Sequence, residues 1–373
     1  MTPKRTVPFA DLKAQHELLA DELEPQFKAV IESSAFIRGP FVSAFEAKFA
    51  SLTESNCCIS CANGTDSLFI AMKSLDVGPG DEVIVPAHTW ISTSETVSLT
   101  GASVVFADID ADTYTICPDS IAAKITPRTV GIIPVHLYGH PANMTDIVNL
   151  ASKHNIWVIE DCAQAHLASF DGKQVGRFGV AASYSFYPGK NLGAMGDAGA
   201  ITTADEELAR KMMMFARHGG INKGEHYIEG INSRMDGLQA AVLLVKLPYL
   251  QKWTQRRQEL ASRYISAFKD VGAIKIPIIA PLSSHVWHLF VIQSSSRDLL
   301  KEYLLDCGIS TSVNYPVSLP FLPAYSSLLH THQDFPNAYA LQTNGLALPL
   351  YPELTDELQD YVISCILSYF TNI

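Results

Sequence analysis

The sequence has no apolar run of the roughly 18 to 20 residues that a membrane-spanning helix needs. Its opening, MTPKRTVPFADL, carries charge but is not followed by the apolar segment of a secretory signal peptide. Lys and Arg form no cluster, and 27 basic residues stand against 38 acidic ones, for a net charge of -11. We therefore expect a cytoplasmic protein with neither a membrane nor a nucleic acid as partner.

Two further absences limit the class of protein. The dinucleotide fingerprint G-x-G-x-x-G does not follow the first candidate strand, and GPGDEV at Gly78 precedes a strand instead, which argues against a nicotinamide-dependent reductase. The chain has seven cysteines, and Cys57, Cys58 and Cys61 lie in an apolar segment with no second pair of metal ligands downstream. A zinc site there stays open, but buried thiols are the favoured interpretation.

The length and composition predict two packed domains. The chain has 373 residues, of which 47% are hydrophobic, and no internal repeat or Gly/Ser-rich linker. We place a large domain, with an N-terminal segment, at 1–245 and a smaller C-terminal α+β domain at 246–373. A long helical pattern over 233–270, interrupted at Pro248, is expected to bridge them.

Alternating strand and helix patterns between about 55 and 205 predict an α/β fold with a mostly parallel sheet of seven strands flanked by helices. The candidate strands are CCISCA, EVIVPA, SVVFADI, VGIIPVHL, IWVIED, ASYSF and GAITT. Ligands of such sheets bind at the carboxyl ends of the strands, so the residues that follow the strands are the candidates for chemistry.

The first two candidates are a turn and an aromatic ring. After CCISCA, the turn Asn63-Gly64-Thr65 into a helix offers backbone N–H groups and a hydroxyl to a phosphate, although these residues also cap helices well. After EVIVPA comes Trp90, whose indole could stack on a flat ring or simply fill a core.

An acidic group and a lysine follow two later strands. Asp161 ends IWVIED, with Gln164 shortly after it; the carboxylate either caps the next helix or faces a bound cation. Ser185 lies at the end of the candidate strand ASYSF, and Lys190 lies on the turn after it. A lysine close to apolar and backbone neighbours can lose its proton and attack a carbonyl carbon, although surface lysines are far commoner. A phosphate turn, an aromatic platform, an acid and a lysine together match the needs of pyridoxal 5'-phosphate.

With these residues in place, the sequence resembles the DegT/DnrJ/EryC1/StrS family of sugar aminotransferases, which share the aspartate aminotransferase fold (fold type I). The resemblance covers nearly the whole chain. Its motifs are VPFADLKAQ, IRGPFVSAFEAKFA, NGTDSL, PAHTW, VHLYGHPANM, IEDCAQAH, SFYPGKNLG, GINSRMDGLQAA, HVWHLFVI and LALPLYP.

The resemblance implies a role for each candidate residue. Lys190 would form the Schiff base with the cofactor and move the proton between Cα and C4', while Asp161 would keep the ring nitrogen protonated. Gln164 would bind the phenolic oxygen of the ring, and Trp90 would stack on the ring. The implied phosphate ligands are Gly64, Thr65 and Ser185, with Asn232 reaching in from the second subunit of a homodimer with shared active sites.

Two residues are implied at the substrate, and two motif positions depart from the family pattern. Arg234 and Tyr315 resemble positions that approach the nucleotide sugar. Asn314 stands where the family usually has His before that tyrosine, and His140 stands where Gln is common; we interpret the second as a loop variation.

The implied reaction takes an amino group from L-glutamate and gives it to a keto group of a nucleotide-linked sugar, in the biosynthesis of amino sugars for surface polysaccharide or glycosylated products. The motifs YPGKNLGAMGDAGA and INSRMDGLQAA look more like members that act on C3 of a UDP- or dTDP-linked 3-keto sugar than like the C4 group. Amination at C4 stays open, as does a non-catalytic or regulatory relative; a family dehydratase is disfavoured because it typically has His in place of Lys190.

Overall fold

The computed structural model describes residues 5–371, which form an α/β fold around one large sheet. The strands are β1 (Cys57–Cys61), β2 (Glu82–Pro86), β3 (Ser103–Ala107), β4 (Thr129–Ile132), β5 (Trp157–Asp161), β6 (Ser169–Phe170), β7 (Lys173–Gln174), β8 (Ala181–Ser185), β9 (Gly199–Thr203), β10 (Ser283–Ser284), β11 (Phe290–Gln293) and β12 (Gly345–Leu348).

The helices lie between and after these strands. They are α1 (Leu12–Leu18), α2 (Ala20–Ser33), α3 (Pro40–Leu52), α4 (Gly64–Ser74), α5 (Ser92–Thr100), α6 (Pro118–Ala122), α7 (Met144–His154), α8 (Glu206–Ala216), α9 (Gly237–Lys246), α10 (Leu250–Phe268), α11 (Arg297–Asp306), α12 (Pro336–Asn344) and α13 (Asp356–Thr371). Within residues 5–371, no helix combines the length and the apolar character that a membrane span requires.

The large sheet confirms the prediction of a mostly parallel, seven-stranded sheet. Its strand order is β1-β9-β8-β5-β4-β2-β3, and the seven strands are those that the apolar runs predicted. Strands β3, β2, β4, β5 and β8 are paired in parallel, whereas β9 is antiparallel to both of its neighbours, β8 and β1. Strands β1, β2, β5 and β8 therefore point the same way, and their carboxyl ends meet at one edge.

Buried helices cover the sheet because its strands are apolar on both faces. In β2 every side chain is buried, and Val83, Val85 and Ile59 of β1 share a cluster with Leu68 and Ile70 of α4. Helix α4 begins where it does because the Asn63 side chain accepts the N–H of Asp66 at 2.7 Å. That cap places the first turn of α4 directly at the carboxyl edge of the sheet.

The long helical pattern is divided at Pro248, as the sequence predicts. Helix α9 ends at Lys246, a short 3-10 turn covers Leu247–Tyr249, and α10 starts at Leu250. The proline has no N–H to continue the helical ladder, which explains the break.

The C-terminal part of the chain packs around a small sheet of β11 and β12. Helices α10, α11 and α13 contribute to its apolar cluster, which also contains Val7. The segment GISTSVNYP forms isolated bridges, from Ile309 to Val7 and from Ser312 to Ala347. The domain division at 245/246 stays a prediction.

Candidate active site

A cavity of about 610 Å³ opens at the edge where the carboxyl ends of β1, β2, β5 and β8 meet. Eight of the ten residues singled out in the sequence line it, and two do not. The eight are Gly64, Thr65, Trp90, Asp161, Gln164, Ser185, Lys190 and Tyr315. The topology thus collects residues that are up to 251 positions apart in the chain, the separation of Gly64 from Tyr315.

One end of the cavity is formed by the start of α4 and the end of β8. A Cβ atom on Gly64 would lie only 2.7 Å from the Cβ of Ser185, so only glycine permits this approach of the two segments. The Thr65 hydroxyl lies 2.6 Å from that of Ser92. The first turn of a helix leaves backbone N–H groups free, and together with these hydroxyls it makes a cradle suited to a phosphate.

The cap interpretation and the phosphate interpretation of this turn are compatible. The side chain of Asn63 caps α4, and Asn63, Gly64 and Thr65 all line the cavity. Neighbouring residues can therefore serve both purposes.

Trp90 lines the cavity from the connection between β2 and α5. Its side chain is 57% exposed, and its ring centroid is 5.5 Å from that of Tyr315, with the two planes inclined by 45°. An indole that lines a cavity with much of its surface uncovered can stack on a flat ligand, which a core residue cannot do.

Gln164 and Tyr315 are linked by a hydrogen bond. The Gln164 Nε2 group donates to the Tyr315 hydroxyl at 2.9 Å, and its Oε1 accepts the backbone N–H of Tyr138 at 2.6 Å. The Tyr315 N–H donates to Nε2 of His88 at 3.2 Å. Both ends of the amide are thus fixed, and the phenol of Tyr315 is held at the cavity wall.

Asp161 ends β5 with a buried carboxylate that faces the cavity. Its Oδ1 accepts the N–H of Ala163 at 3.1 Å, and its Oδ2 accepts the hydroxyl of Thr93 at 3.2 Å. Burial raises the pKa of this carboxyl, while these hydrogen bonds and the charge of Lys190 oppose the rise. A turn follows β5 and not a helix, so Asp161 caps a turn rather than the helix that one interpretation expected.

Lys190 lies on the loop after β8, partly buried. Its backbone N–H donates to the Tyr187 carbonyl at 2.8 Å. Burial lowers the pKa of its amine from 10.5 to about 8, and the negative charge of Asp161 acts in the opposite direction. A substantial fraction of this amine is therefore uncharged near neutral pH and able to attack an aldehyde.

Asn232 and Arg234 do not line this cavity. Asn232 is exposed, whereas Ser233 beside it is buried, donating its hydroxyl to Asp66 Oδ2 at 2.6 Å and accepting the N–H of Ala62 at 3.0 Å. Arg234 lies near Arg217, whose pKa is lowered by burial and then by the charges of neighbouring arginines that include Arg234. The segment is thus anchored to its own chain while Asn232 faces outward.

Several residues of the site were missed by sequence reasoning. Thr93, Ser92 and Tyr187 line the cavity, and Asp197 does so from an exposed position. Asp197 lies in the glycine-rich stretch after Lys190, and Thr93 lies three residues after Trp90. Their closeness in sequence to these candidate residues could have indicated that they belong to the site.

A buried polar group next to the site has the composition of a metal centre. Ligand atoms of His136, Glu160 and Cys162 lie within 4.8 Å of one another. However, the carboxylate of Glu160 accepts three backbone N–H groups of the segment 176–179, at 2.7, 2.6 and 2.8 Å, and faces Nε2 of His136 at 3.1 Å. His136 Nδ1 accepts the N–H of Ala142 at 3.0 Å. These bonds explain the cluster as a satisfied hydrogen-bond network.

The site fits pyridoxal 5'-phosphate in each of its parts. It provides a glycine cradle beside a serine, an uncovered indole, a buried carboxylate for the ring nitrogen and an amine with a lowered pKa.

Comparisons with known proteins agree with this chemistry. The model of the DegT/DnrJ/EryC1/StrS aminotransferase family matches residues 18–367. A dTDP-3-amino-3,4,6-trideoxy-alpha-D-glucose transaminase from Streptomyces venezuelae is 41% identical over 95% of this chain and 93% of its own. A UDP-N-acetyl-3-dehydro-alpha-D-glucosamine 3-aminotransferase from Acidithiobacillus ferrooxidans is 40% identical over 96% of both chains. The crystal structure of DesV from S. venezuelae with a ketimine intermediate superposes with a TM-score of 0.97 at 40% identity, covering 99% of each chain.

Proposed function

Because the chain belongs to the DegT/DnrJ/EryC1/StrS aminotransferase family, we propose that it transfers an amino group from L-glutamate to C3 of a nucleotide-linked 3-keto sugar. Pyridoxal 5'-phosphate, when bound, supplies an electron sink and carries the nitrogen between the two substrates. The observation that carries the proposal is the placement of Lys190, with its lowered pKa, in one cavity with the buried carboxylate of Asp161 and the Gly64–Ser185 cradle.

The cradle holds the phosphate of the cofactor in this proposal. The N–H groups at the start of α4 and the hydroxyls of Thr65 and Ser185 would donate to its oxygens, and the dipole of α4 would favour its negative charge. The contact between Gly64 and Ser185 supports this assignment, because it keeps both segments close to the same point of the cavity.

The ring is held between Trp90 and the residues after β5. Trp90 would stack on the ring, and the amide of Gln164 would bind its phenolic oxygen. Asp161 keeps a proton on the ring nitrogen, and the bonds from Thr93 and Ala163 fix the orientation of its carboxylate. A buried carboxylate stabilises a neighbouring cation strongly because water does not screen it.

Lys190 binds the cofactor at rest and moves protons during each half of the reaction. Once freed, the Lys190 amine would move a proton from Cα of glutamate to the cofactor in the first half of the reaction, and from the cofactor to C3 of the sugar in the second half. A pKa of about 8 suits both tasks, since the amine is readily both protonated and deprotonated near neutral pH.

A second copy of the chain completes the site. Asn232 is exposed on an anchored segment and does not line its own cavity, which supports a role of Asn232 of the partner subunit at the phosphate. Arg234 and its arginine neighbours form a positive region suited to the diphosphate of a nucleotide sugar, and Tyr315 contacts the sugar from the cavity wall. We propose a homodimer with shared active sites on these grounds.

The sugar nucleotide is the least constrained part of the proposal. The two relatives compared above are named for dTDP-linked and UDP-linked sugars at nearly the same identity, and both names refer to nitrogen at C3. Amination at C3 is therefore proposed for either carrier, in a pathway to amino sugars of surface polysaccharide or glycosylated products. A cytoplasmic location stays a prediction.

The test is a transamination assay with the purified protein. It is incubated with L-glutamate and a panel of 3-keto and 4-keto sugars linked to UDP or dTDP, and the products are identified by mass spectrometry and NMR. We expect nitrogen at C3 and formation of 2-oxoglutarate. A product with nitrogen at C4 would contradict amination at C3. If no sugar of the panel gives a product, the proposed substrate class is wrong.

A variant at the lysine is the control for this assay. Lys190→Ala should remain a folded protein that lacks both the visible absorbance band of the lysine-bound cofactor and the activity. Normal turnover by this variant would remove Lys190 from its assigned role.

A further inference from the structure

A fully buried lysine, Lys246 at the end of α9, lies outside the active-site cavity. Its side chain has no exposed surface. The Nζ group donates to the Gly193 carbonyl at 2.8 Å and to Nε2 of His16 in α1 at 3.0 Å. Among residues 5–371, no carboxylate lies within ion-pair distance of this ammonium. Burying a cation without such a partner lowers the stability of the fold, so Lys246 is a candidate for a role beyond packing.

The contact at Gly193 lies at the end of the loop that carries Lys190. Within that loop the Lys190 N–H donates to the Tyr187 carbonyl at 2.8 Å, and the Ala194 N–H returns to the Phe186 carbonyl at 2.7 Å. A Cβ atom on Gly193 would lie 2.2 Å from the Pro188 carbonyl oxygen, so the two ends of the loop are in direct contact. A group that holds the carbonyl of Gly193 therefore holds the loop as a unit.

The same loop has a second attachment, made by Asn191. Its Nδ2 donates to the Val286 carbonyl at 3.2 Å, and its Oδ1 lies 3.1 Å from Nδ1 of His288. Lys246 and Asn191 thus tie the loop to two different parts of the chain, α9 and the segment before β11. Of the two, only Lys246 can carry a charge. Burial lowers the pKa of its amine to about 8, and the charge of Glu353 acts in the opposite direction, so Lys246 is mostly an ammonium at pH 7. A charged donor makes the stronger hydrogen bond.

We propose that Lys246 is a positioning residue for Lys190: its ammonium fixes the Gly193 carbonyl and thereby keeps the Lys190 amine at the cavity wall, partly shielded from water. The proposal rests on the assigned role of Lys190. If the bond to Gly193 is lost, the loop can move, and Lys190 becomes more accessible to solvent.

Shielding from water is what lowers the pKa of Lys190, so the titration of Lys190 reports on the loop. Asp161 is the charged group that acts on this titration. Burial lowers the pKa of the neighbouring His166 and His288, so both rings are neutral where Lys190 titrates. None of them makes a hydrogen bond to Lys246 among the described residues. A change at Lys246 can therefore reach Lys190 through the loop without changing these groups directly.

The test compares Lys246→Met with a matched variant, Gln359→Met. Gln359 is equally buried, and its Nε2 donates to the backbone carbonyl of Leu260 at 2.6 Å. It lies on α13, far along the chain from the Lys190 loop. Both variants replace a buried polar side chain by an unbranched apolar one and remove a hydrogen bond to a carbonyl. Each is expected to lower the thermal midpoint of unfolding.

The readout that separates them is the pH dependence of Lys190 acetylation in the cofactor-free protein, followed by peptide mass spectrometry. In Lys246→Met we expect the midpoint to rise by about one pH unit toward that of an ordinary lysine, because the amine gains water. We also expect pyridoxal 5'-phosphate to bind about tenfold more weakly, as judged by its visible band. Gln359→Met should leave both quantities unchanged.

An unchanged acetylation midpoint and cofactor affinity in folded Lys246→Met would overturn the proposal and leave Lys246 a purely structural residue. Should this variant not fold, His16→Ala serves in its place, since it keeps the lysine but removes one partner; we expect a smaller rise of the midpoint, and no rise would overturn the proposal. If the wild-type protein does not link the cofactor to Lys190, the proposed function fails instead, independently of Lys246.

Discussion

The titration of Lys190 in the cofactor-free protein follows directly from its position on the wall of the cavity. Burial lowers its pKa from 10.5 to about 8, even though Asp161 acts in the opposite direction. At pH 8 about half of the Lys190 amines are then uncharged, compared with about 0.3% of an ordinary lysine, a difference of about 150-fold in the reactive form. Because the uncharged amine is the nucleophile, this larger neutral fraction allows Lys190 to condense with an aldehyde near neutral pH.

The assay acetylates the cofactor-free protein with a limiting amount of acetic anhydride at a series of pH values, in the presence of N-acetyl-lysine amide as an internal standard. Labelling of the Lys190 peptide should rise with pH through a midpoint near 8, well before the standard. In Asp161→Asn the midpoint should fall further, because the negative charge that raises the pKa of Lys190 is gone. Labelling of Lys190 that follows the standard, with a midpoint near 10.5, would refute the reasoning.

Three further predictions concern the surroundings of the cofactor. Gly64→Ala should weaken cofactor binding by about 10- to 100-fold in an absorbance titration, because the new Cβ would lie 2.7 Å from that of Ser185; unchanged affinity would argue against the cradle. Asp161→Asn should retain some cofactor and lose several orders of magnitude in rate, measured as kcat, if it sustains the ring proton; a near-normal kcat would exclude it. Tyr315→Phe removes the acceptor of Gln164 at 2.9 Å and should raise KM for the sugar more than for glutamate; an equal effect on both would remove Tyr315 from the sugar site.

The strands of the large sheet were predictable because they are buried on both faces. The sequences of such strands are short runs of mostly β-branched and apolar residues, as in EVIVP of β2. These runs lack the spacing of apolar residues that is typical of helices. The two-residue strands β6, β7 and β10 were not predictable, since two residues carry no periodicity. GISTSVNYP contains β-branched residues but pairs with its neighbours at single bridges, so β-branched composition alone does not indicate a strand.

The site was predictable where residues follow strands directly. Asp161, Ser185 and Gly64 are placed by the ends of β5, β8 and β1, and parallel strands bring such ends to one edge. Partners on helices and turns were harder to foresee. Thr93 contacts Asp161 from the first turn of α5. Its position three residues after Trp90 places it near the site but does not indicate that its partner is that carboxylate.

The contact of Gln164 with Tyr138 depends on a local backbone conformation. Tyr138 has a positive φ of 57° inside a short turn, which directs its N–H to the amide of Gln164 at 2.6 Å. A tyrosine rarely adopts this conformation, and neither its residue type nor its neighbours indicate it. Contacts of this kind are set by the packed structure as a whole, and sequence patterns do not record them.

The central claim is that Lys190 is the residue that binds the cofactor covalently. Its most direct test is to reduce the protein with sodium borohydride in the presence of pyridoxal 5'-phosphate, digest it, and locate the phosphopyridoxyl group by mass spectrometry. We predict one modified peptide, with the group on Lys190, and no modified peptide in Lys190→Ala. A modification at another lysine in its place, or none at all, would contradict it.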